Sequence, residues 1–202
     1  MDVTIELAAR FVVAASAVSL LAIALAVLAR ELAAHRPEPV ERDTGPLAVV
    51  NYAGILIFVL LGMVLATTRW GSAGSLAEPL GDALRVLGIV TIWAAGGLAV
   101  WGVRAMGRYL VSGAEVRPDT EIVTSGPFGL VRHPMYLSIL LMWLGGALAL
   151  LSWPFALGFV VLVPAIQARS KLEEQMLTRQ FGDTYRSYAA RVPMLFPGPR
   201  HG

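Results

Sequence analysis

Two clusters of polar residues stand out in an otherwise apolar sequence, and both contain groups that can hold a charged ligand. The first is Arg132-His133-Pro134-Met135-Tyr136, which follows a Gly126-Pro127 turn. The second is the pair Glu173-Glu174, with Arg169 one helical turn before it. There are no cysteines, and the three histidines are scattered. Thiolate chemistry is therefore excluded, and no ligand spacing indicates a metal site.

The first cluster has the pattern of a helix start after a tight turn. Gly126 allows the backbone to approach a ligand closely, and Pro134 suits the first turn of a helix, where its missing N–H costs nothing. Arg132 and His133 are then expected at a helix N-terminus whose free N–H groups favour an anionic group. The alternative is an interfacial Arg, His and Tyr that only anchor a membrane helix.

The second cluster places charge on the apolar side of a helix. At about 100° per residue, Leu172, Met176 and Phe181 form an apolar arc. Arg169 and Glu173 fall inside that arc, where charges are costly unless they are paired or bound to a ligand. One interpretation is a structural i, i+4 ion pair. The other is a clamp for a charged ligand.

Composition indicates a membrane protein. Of 202 residues, 56% are hydrophobic and 15% charged, whereas soluble domains carry about a quarter charged residues. Mean hydropathy is +0.67. A net charge of +2 is too small to indicate nucleic-acid binding.

Five apolar stretches predict an all-α, polytopic membrane helix bundle. They run over residues 7–29, 47–66, 84–103, 135–151 and 155–168. The first three are about twenty residues long, enough to cross a ~30 Å hydrocarbon core. The last two are shorter and predict a tight hairpin around Ser152-Trp153-Pro154. The alternative is a re-entrant hairpin, unless the fifth helix continues beyond the membrane as a polar helix.

The hairpin predicts that the two polar clusters are neighbours in space, because its flanks meet at one membrane face. We therefore divide the chain into a three-helix membrane region, 1–103, and a catalytic region, 104–202. Acidic Asp2 and Glu6 precede the first apolar run, so that run is expected to stay as an anchor and not to be a cleaved signal peptide.

Basic residues predict the orientation. Most of the 16 lie in the first loop, the third loop and the C-terminal segment, and only three arginines fall on the opposite side. Those three are Arg10, Arg69 and Arg85. The positive-inside rule then puts the N-terminus outside and the C-terminus and active site in the cytoplasm. The loop over residues 35–46 is expected to be irregular.

The order of motifs around the hairpin resembles the isoprenylcysteine carboxyl methyltransferases and the related phospholipid methyltransferases. The matching elements are Arg132-His133-Pro134-Met135-Tyr136, Glu173-Glu174, Leu177, Phe181-Gly182, Tyr185, Tyr188 and Arg191-Val192-Pro193. The resemblance covers residues 121–193. It differs at Ser138, where the family usually has Gly, and at Phe128-Gly129-Leu130, where an aromatic-Arg-Tyr run is frequent.

The resemblance implies an S-adenosylmethionine-dependent methyltransferase whose C-terminal helix completes the cofactor pocket. The cofactor-binding residues would be Ile122, Val123, Gly126, Phe128, Arg132, His133, Pro134, Tyr136 and Glu173. Arg169 would face the methyl acceptor, so Arg169 and Glu173 are the expected catalytic pair. The expected partners are membrane lipids and a lipid-like acceptor, with no metal and no nucleic acid.

The acceptor favoured by this resemblance is an isoprenylcysteine-like or isoprenoid carboxylate. The alternatives are N-methylation of a phospholipid or amine, an NADPH-dependent membrane sterol or enone reductase, and a non-enzymatic membrane scaffold. The reductases share a related Arg-His-Pro-x-Tyr hairpin, but the Glu-Glu helix argues against them. A scaffold would have no need of Arg169 and Glu173 on an apolar face.

Overall fold

Each of the five apolar stretches forms one helix in the computed structural model, which describes residues 3–33, 41–42, 50–68, 79–107, 115–116 and 121–196. The helices in chain order are α1 (Val3–Ala33), α2 (Val50–Thr67), α3 (Leu80–Met106), α4 (Pro134–Leu150), α5 (Trp153–Phe181) and α6 (Asp183–Arg191). A short 3-10 helix covers Gly126–Gly129. The predicted all-α class is confirmed for the described helices, and the loops add one short pair of strands.

That addition is a two-stranded antiparallel ladder between β1 (Glu41–Arg42) and β2 (Glu115–Val116). Glu41 lies opposite Val116, and Arg42 opposite Glu115. The remainder of the predicted irregular segment 35–46 lies outside the described residues. Because β1 follows α1 and β2 follows α3, the ladder joins the first and third loops at one end of the bundle. β2 also contacts α5.

Two of the described helices, α3 and α5, are long and apolar enough to cross a membrane. Their outer faces carry exposed apolar side chains, including Val90 and Trp93 on α3 and Val160 and Val161 on α5. α4 has 17 residues and is about 25 Å long at 1.5 Å per residue. α5 has 29 residues, about 43 Å on the same rise, so it continues well past a ~30 Å hydrocarbon core.

The tight hairpin between α4 and α5 forms as predicted. Leu151 takes a left-handed conformation with φ 49°, and Ser152 N–H donates to the carbonyl of Ala147 at 2.9 Å. These two residues reverse the chain at once, and Pro154 lies in the first turn of α5. The hairpin core contains Trp143, Phe155 and Phe58 of α2 in mutual aromatic contact.

Small residues bring α3 and α4 into backbone contact. A Cβ at Gly88 would collide with the backbone nitrogen of Ala149, and a Cβ at Gly145 would lie 2.7 Å from Ile92 Cγ1 and 3.0 Å from the carbonyl oxygen of Gly88. Such small-residue crossings let membrane helices pack closely without a hydrophobic driving force between them. α3 therefore packs closely against the hairpin that carries the site.

The arginines at the end opposite the polar clusters bind helix ends. Arg10 of α1 donates to the carbonyl of Thr68 at 2.6 Å, just past the end of α2, and forms an ion pair with Glu6 at 2.9 Å. Arg85 of α3 is buried and donates to the carbonyl of Ala149 at 3.2 Å, near the end of α4. Arg69 lies outside the described residues.

Candidate active site

The two polar clusters meet, as the hairpin predicts. Tyr136 of α4 donates its hydroxyl proton to Glu173 Oε2 of α5 at 2.7 Å, across 37 positions of sequence. Arg132 and His133 reach the neighbouring Glu174. The consecutive glutamates thus bind different members of the first cluster, Glu173 the tyrosine and Glu174 the arginine, and His133 lies beside both.

Glu174 holds the start of α4 in place. Its two carboxylate oxygens accept from Arg132 Nε at 2.7 Å and Arg132 Nη2 at 3.1 Å, a bidentate pair of the strong, charge-assisted kind. His133 Nε2 lies 3.2 Å from Oε1 of the same carboxylate. The sequence places Glu174 only at the edge of the apolar arc, and its role as an anchor was not predicted.

Arg132 is occupied by the protein itself. Besides Glu174, its Nη1 donates to the carbonyls of Ala189 and, at 2.6 Å, Val192. Those carbonyls lie near and just past the end of α6. Arg132 therefore ties α4, α5 and the end of α6 together. Cofactor binding by Arg132, implied by the resemblance, stays a prediction.

Free backbone N–H groups at this helix start were also predicted, and that prediction is wrong for Arg132 and His133. Arg132 N–H donates to the carbonyl of Pro193 at 2.9 Å, and His133 N–H donates to that of Met194 at 3.0 Å. The chain after α6 returns alongside the start of α4 and uses both donors. Sequence spacing could not show this return, because the two segments are about sixty residues apart.

Glu173 remains partly open, with 28% of its side chain exposed. On its protein side it accepts from Tyr136, and His133 Nδ1 lies 3.8 Å from Oε2. The rings of His133 and Tyr136 stack with centroids 5.3 Å apart and planes 8° apart. Both rings are buried, so Glu173 is a carboxylate held in a fixed position with one side accessible.

Arg169 is completely buried, with 0% exposure, on the same face of α5 as Glu173 and within its electrostatic reach. The apolar arc predicted this placement correctly. About 24 Å of helix separates Arg169 from the start of α5 at Trp153, and about 30 Å separates Glu173 from it. If α5 crosses the membrane from Trp153 onwards, Arg169 lies near the far edge of a ~30 Å hydrocarbon core and Glu173 lies at its surface.

The turn before the first cluster packs on α3. Gly126 has φ 62°, and a Cβ there would lie 3.1 Å from Trp101 Nε1, so its backbone approaches an indole ring of the protein. Phe128 is buried, and its carbonyl accepts from the Tyr188 hydroxyl at 2.7 Å. Ile122 and Val123 are half-buried upstream of the turn, and no described hydrogen bond joins them to the glutamates.

Pro134, which belongs to the first motif, and Ser138, which departs from the family pattern, are both buried. Pro134 begins α4, as expected. The Ser138 hydroxyl, at the position where the family usually has Gly, donates to the carbonyl of Met135 at 2.7 Å. The serine thus satisfies its hydroxyl within its own helix.

Two tyrosines of α6 pack beside these residues, and their contacts were not predicted. Tyr185 and Tyr188 are buried with their rings in edge contact at 5.9 Å. Burial raises the pKa of Tyr188 to about 12, with Arg132 opposing the shift and Glu174 adding to it. Burial also raises the pKa of Tyr185, and the negative charges of Glu174 and Glu173 add to that effect. Both hydroxyls therefore stay protonated as hydrogen-bond donors. The sequence signal for these two residues was the Tyr-x2-Tyr spacing, which places both side chains on one face of a helix.

Within the described ranges, no group of three or more histidine and acidic side chains is placed to hold a metal ion. The site instead combines one partly open carboxylate, one buried guanidinium and a stacked aromatic pair.

Residues 83–184 match the phospholipid methyltransferase family, so the chain belongs to that family of membrane methyltransferases. The matched range begins in α3 and ends in α6, and it includes both polar clusters.

Three relatives show the range of proteins that share this region. The cobalt-zinc-cadmium resistance protein CzcN of Cupriavidus metallidurans is 33% identical over 71% of this chain and 60% of its own. Protein-S-isoprenylcysteine O-methyltransferase of Schizosaccharomyces pombe is 32% identical over 48% of this chain and 47% of its own. Delta(14)-sterol reductase TM7SF2 of Mus musculus is 34% identical over 41% of this chain and 21% of its own length. In each case the match spans less than two thirds of the relative's length.

Proposed function

We propose that this protein transfers a methyl group from S-adenosylmethionine to a lipid-like acceptor at the cytoplasmic membrane face. The favoured acceptor is the carboxylate of an isoprenylcysteine-like or isoprenoid substrate. The observation that carries the proposal is the position of Glu173, a carboxylate fixed by Tyr136 and His133 and still 28% exposed. Membership of a methyltransferase family and the likeness to an isoprenylcysteine O-methyltransferase support it.

Glu173 suits the cationic amino group of a cofactor's amino-acid end. Its carboxylate is only partly exposed to water, so a cationic partner there offsets the cost of holding a charge away from water. A hydrogen bond to a charged group contributes about 1.5–3 kcal/mol. Tyr136 and His133 prevent the carboxylate from rotating away, which lowers the entropy lost on binding.

Arg169 suits the acceptor. Its guanidinium is buried, about one helical turn deeper along α5 than Glu173. A lipid entering sideways from the bilayer would bring an anionic head group to that depth, while a water-soluble cofactor would enter from the aqueous side. The two groups would then meet between Arg169 and Glu173.

When bound, S-adenosylmethionine supplies an electrophilic methyl group on a sulfonium with a good leaving group. The protein therefore needs mainly to align the acceptor with that methyl and to exclude water. A carboxylate acceptor is already nucleophilic at neutral pH and requires no base. An amine acceptor would require one, and Glu173 and His133 are the candidates.

Ligand-induced stabilisation of the detergent-purified protein tests the proposal. S-adenosylhomocysteine should raise the melting temperature, and NADPH should not. Stabilisation by NADPH alone would favour the reductase alternative, and stabilisation by neither would favour the scaffold. Mass spectrometry of lipid extracts incubated with a methyl-deuterated cofactor then identifies the acceptor and separates O- from N-methylation.

A further inference from the structure

Tyr185 is the one buried tyrosine of the site whose hydroxyl lacks a described hydrogen-bond partner. The other two are satisfied: Tyr136 donates to Glu173, and Tyr188 donates to the carbonyl of Phe128. Tyr185 is 3% exposed, so bulk water does not reach its hydroxyl. Buried polar groups are nearly always hydrogen-bonded, and an exception at a candidate site calls for an explanation.

The surroundings of Tyr185 decide what kind of partner it would accept. It lies within the electrostatic influence of Glu174, Arg132 and Glu173. Because its pKa is raised, the hydroxyl keeps its proton and can donate. Arg132 and Glu174 already bind each other, and Glu173 is bound by Tyr136. The missing group is thus an acceptor oxygen that the described residues do not provide.

We infer that the Tyr185 hydroxyl binds the carboxylate of the cofactor's amino-acid end, while Glu173 binds the ammonium of the same end. This inference rests on the proposed function. It assigns the two charges of one zwitterion to two helices, with the carboxylate that binds the ammonium on α5 and the hydroxyl that donates to the carboxylate on α6. Tyr185 becomes a cofactor-binding residue in addition to those on α4 and α5.

The link between α5 and α6 allows the adjustment that this contact requires. The Tyr185 hydroxyl is closed to solvent in the ligand-free protein, so α6 has to shift slightly for a ligand oxygen to reach it. Gly182 joins the two helices with φ 55° and has open space where a Cβ would be. Arg132 and Tyr188 hold the later part of α6, so we place the shift at its first turn, next to Gly182, while α5 keeps Glu173 in place.

The inference is tested by measuring the affinity of two ligands for two proteins, the unsubstituted protein and Tyr185→Phe, so no activity assay is needed. The ligands are S-adenosylhomocysteine and its analogue in which hydrogen replaces the carboxylate. In the unsubstituted protein, loss of the carboxylate should weaken binding about ten-fold, the effect of one hydrogen bond to a charged group. In Tyr185→Phe the two ligands should bind almost equally.

Melting of the ligand-free protein gives a second readout. Tyr185→Phe removes an unpaired hydroxyl, so its melting temperature should be unchanged or higher. Tyr188→Phe is the matched control, because it loses the bond to Phe128. Its melting temperature should fall, while its preference for the carboxylate ligand should be kept.

Three results would count against the assignment. An equal preference for the carboxylate ligand in Tyr185→Phe and the unsubstituted protein would overturn the inference alone. A lower melting temperature of Tyr185→Phe with unchanged binding would do the same and make Tyr185 a structural residue. Absence of any stabilisation of the unsubstituted protein by S-adenosylhomocysteine would overturn the proposed function and this inference with it.

Discussion

Glu173 and Glu174 are neighbours in sequence, yet the structure gives them different environments. Glu174 is bound by the fork of Arg132 and by His133, and its side chain is 18% exposed. Glu173 is bound by one hydroxyl and is more open, at 28%. We therefore expect Glu174 to stabilise the structure and, on the proposed function, Glu173 to bind the ligand.

Replacing each glutamate by glutamine separates these two roles. Glu173→Gln should weaken S-adenosylhomocysteine binding about ten- to a hundred-fold, because it removes a charge-assisted bond worth roughly 1.5–3 kcal/mol, and it should leave the melting temperature nearly unchanged. Glu174→Gln should lower the melting temperature, because the Arg132 guanidinium loses its bidentate partner. Titration and melting curves on both variants provide the measurements. A shared effect on stability, without any selective loss of binding in Glu173→Gln, would support the structural ion-pair alternative.

Arg169 provides the second test at the residue scale. Arg169→Ala should leave the affinity for S-adenosylhomocysteine within a few-fold of the original and abolish methyl transfer to lipid extract, because the guanidinium is assigned to the acceptor. Cofactor titration and a labelled-lipid assay measure the two effects separately. If Arg169 and Glu173 only form a structural pair, replacing both by apolar residues should restore any stability lost in the single variants.

The residues of the site were predictable to the extent that they lie in local patterns. The apolar arc of α5 correctly predicted the burial of Arg169, and the hairpin correctly brought Glu173 to Tyr136. Glu174 was missed because an edge position on a helical projection does not reveal which partner will reach it. The pairing of Arg132 and His133 with Pro193 and Met194 depends on the path of the chain after α6, and no periodicity encodes that path.

At the scale of helices, α5 explains how one element serves two environments. Its apolar half was predicted to end near residue 168, and the helix continues to Phe181, which is the polar continuation named as one alternative from the sequence. The added residues include Lys171, Leu172, Glu173, Glu174 and Gln175, which are good helix formers, so the helix persists after hydrophobicity declines. Gly182, with its positive φ, then ends it. The polar extension carries Glu173 beyond the apolar half of the helix.

The contact between α3 and α4 should be sensitive to a single methyl group. Gly88→Ala should lower the melting temperature in detergent, because the added Cβ would collide with the backbone of Ala149 and the helices would have to separate. Gly96→Ala is the matched control on the same helix, since nothing lies within 4 Å of its Cβ position. That change should be neutral or stabilise by about 0.5–1 kcal/mol through helix propensity. Equal effects of the two substitutions would show that the crossing tolerates expansion.

For the whole molecule, the structure explains why arginines occur on the side where the charge rule disfavours them. Arg10 and Arg85 each bind carbonyls near the end of a neighbouring helix, where the last carbonyls have no partner within their own helix. Cations are also favourable at helix C-termini. These two arginines therefore stabilise the bundle, and their position has a structural reason independent of topology.

The orientation itself is a prediction of the whole chain: N-terminus outside, C-terminus in the cytoplasm. A reporter fused after Gly202 should behave as cytoplasmic, because the first loop, the third loop and the C-terminal segment carry most of the basic residues. The β1–β2 ladder is consistent with this arrangement, since it joins the first and third loops at one end of the bundle. Arg10→Leu combined with Arg85→Leu should lower the melting temperature and leave the reporter signal unchanged, because it removes bonds at helix ends without moving charge to the other side. A periplasmic or luminal signal from the C-terminal fusion would contradict the orientation and put Glu173 on the side away from cellular S-adenosylmethionine.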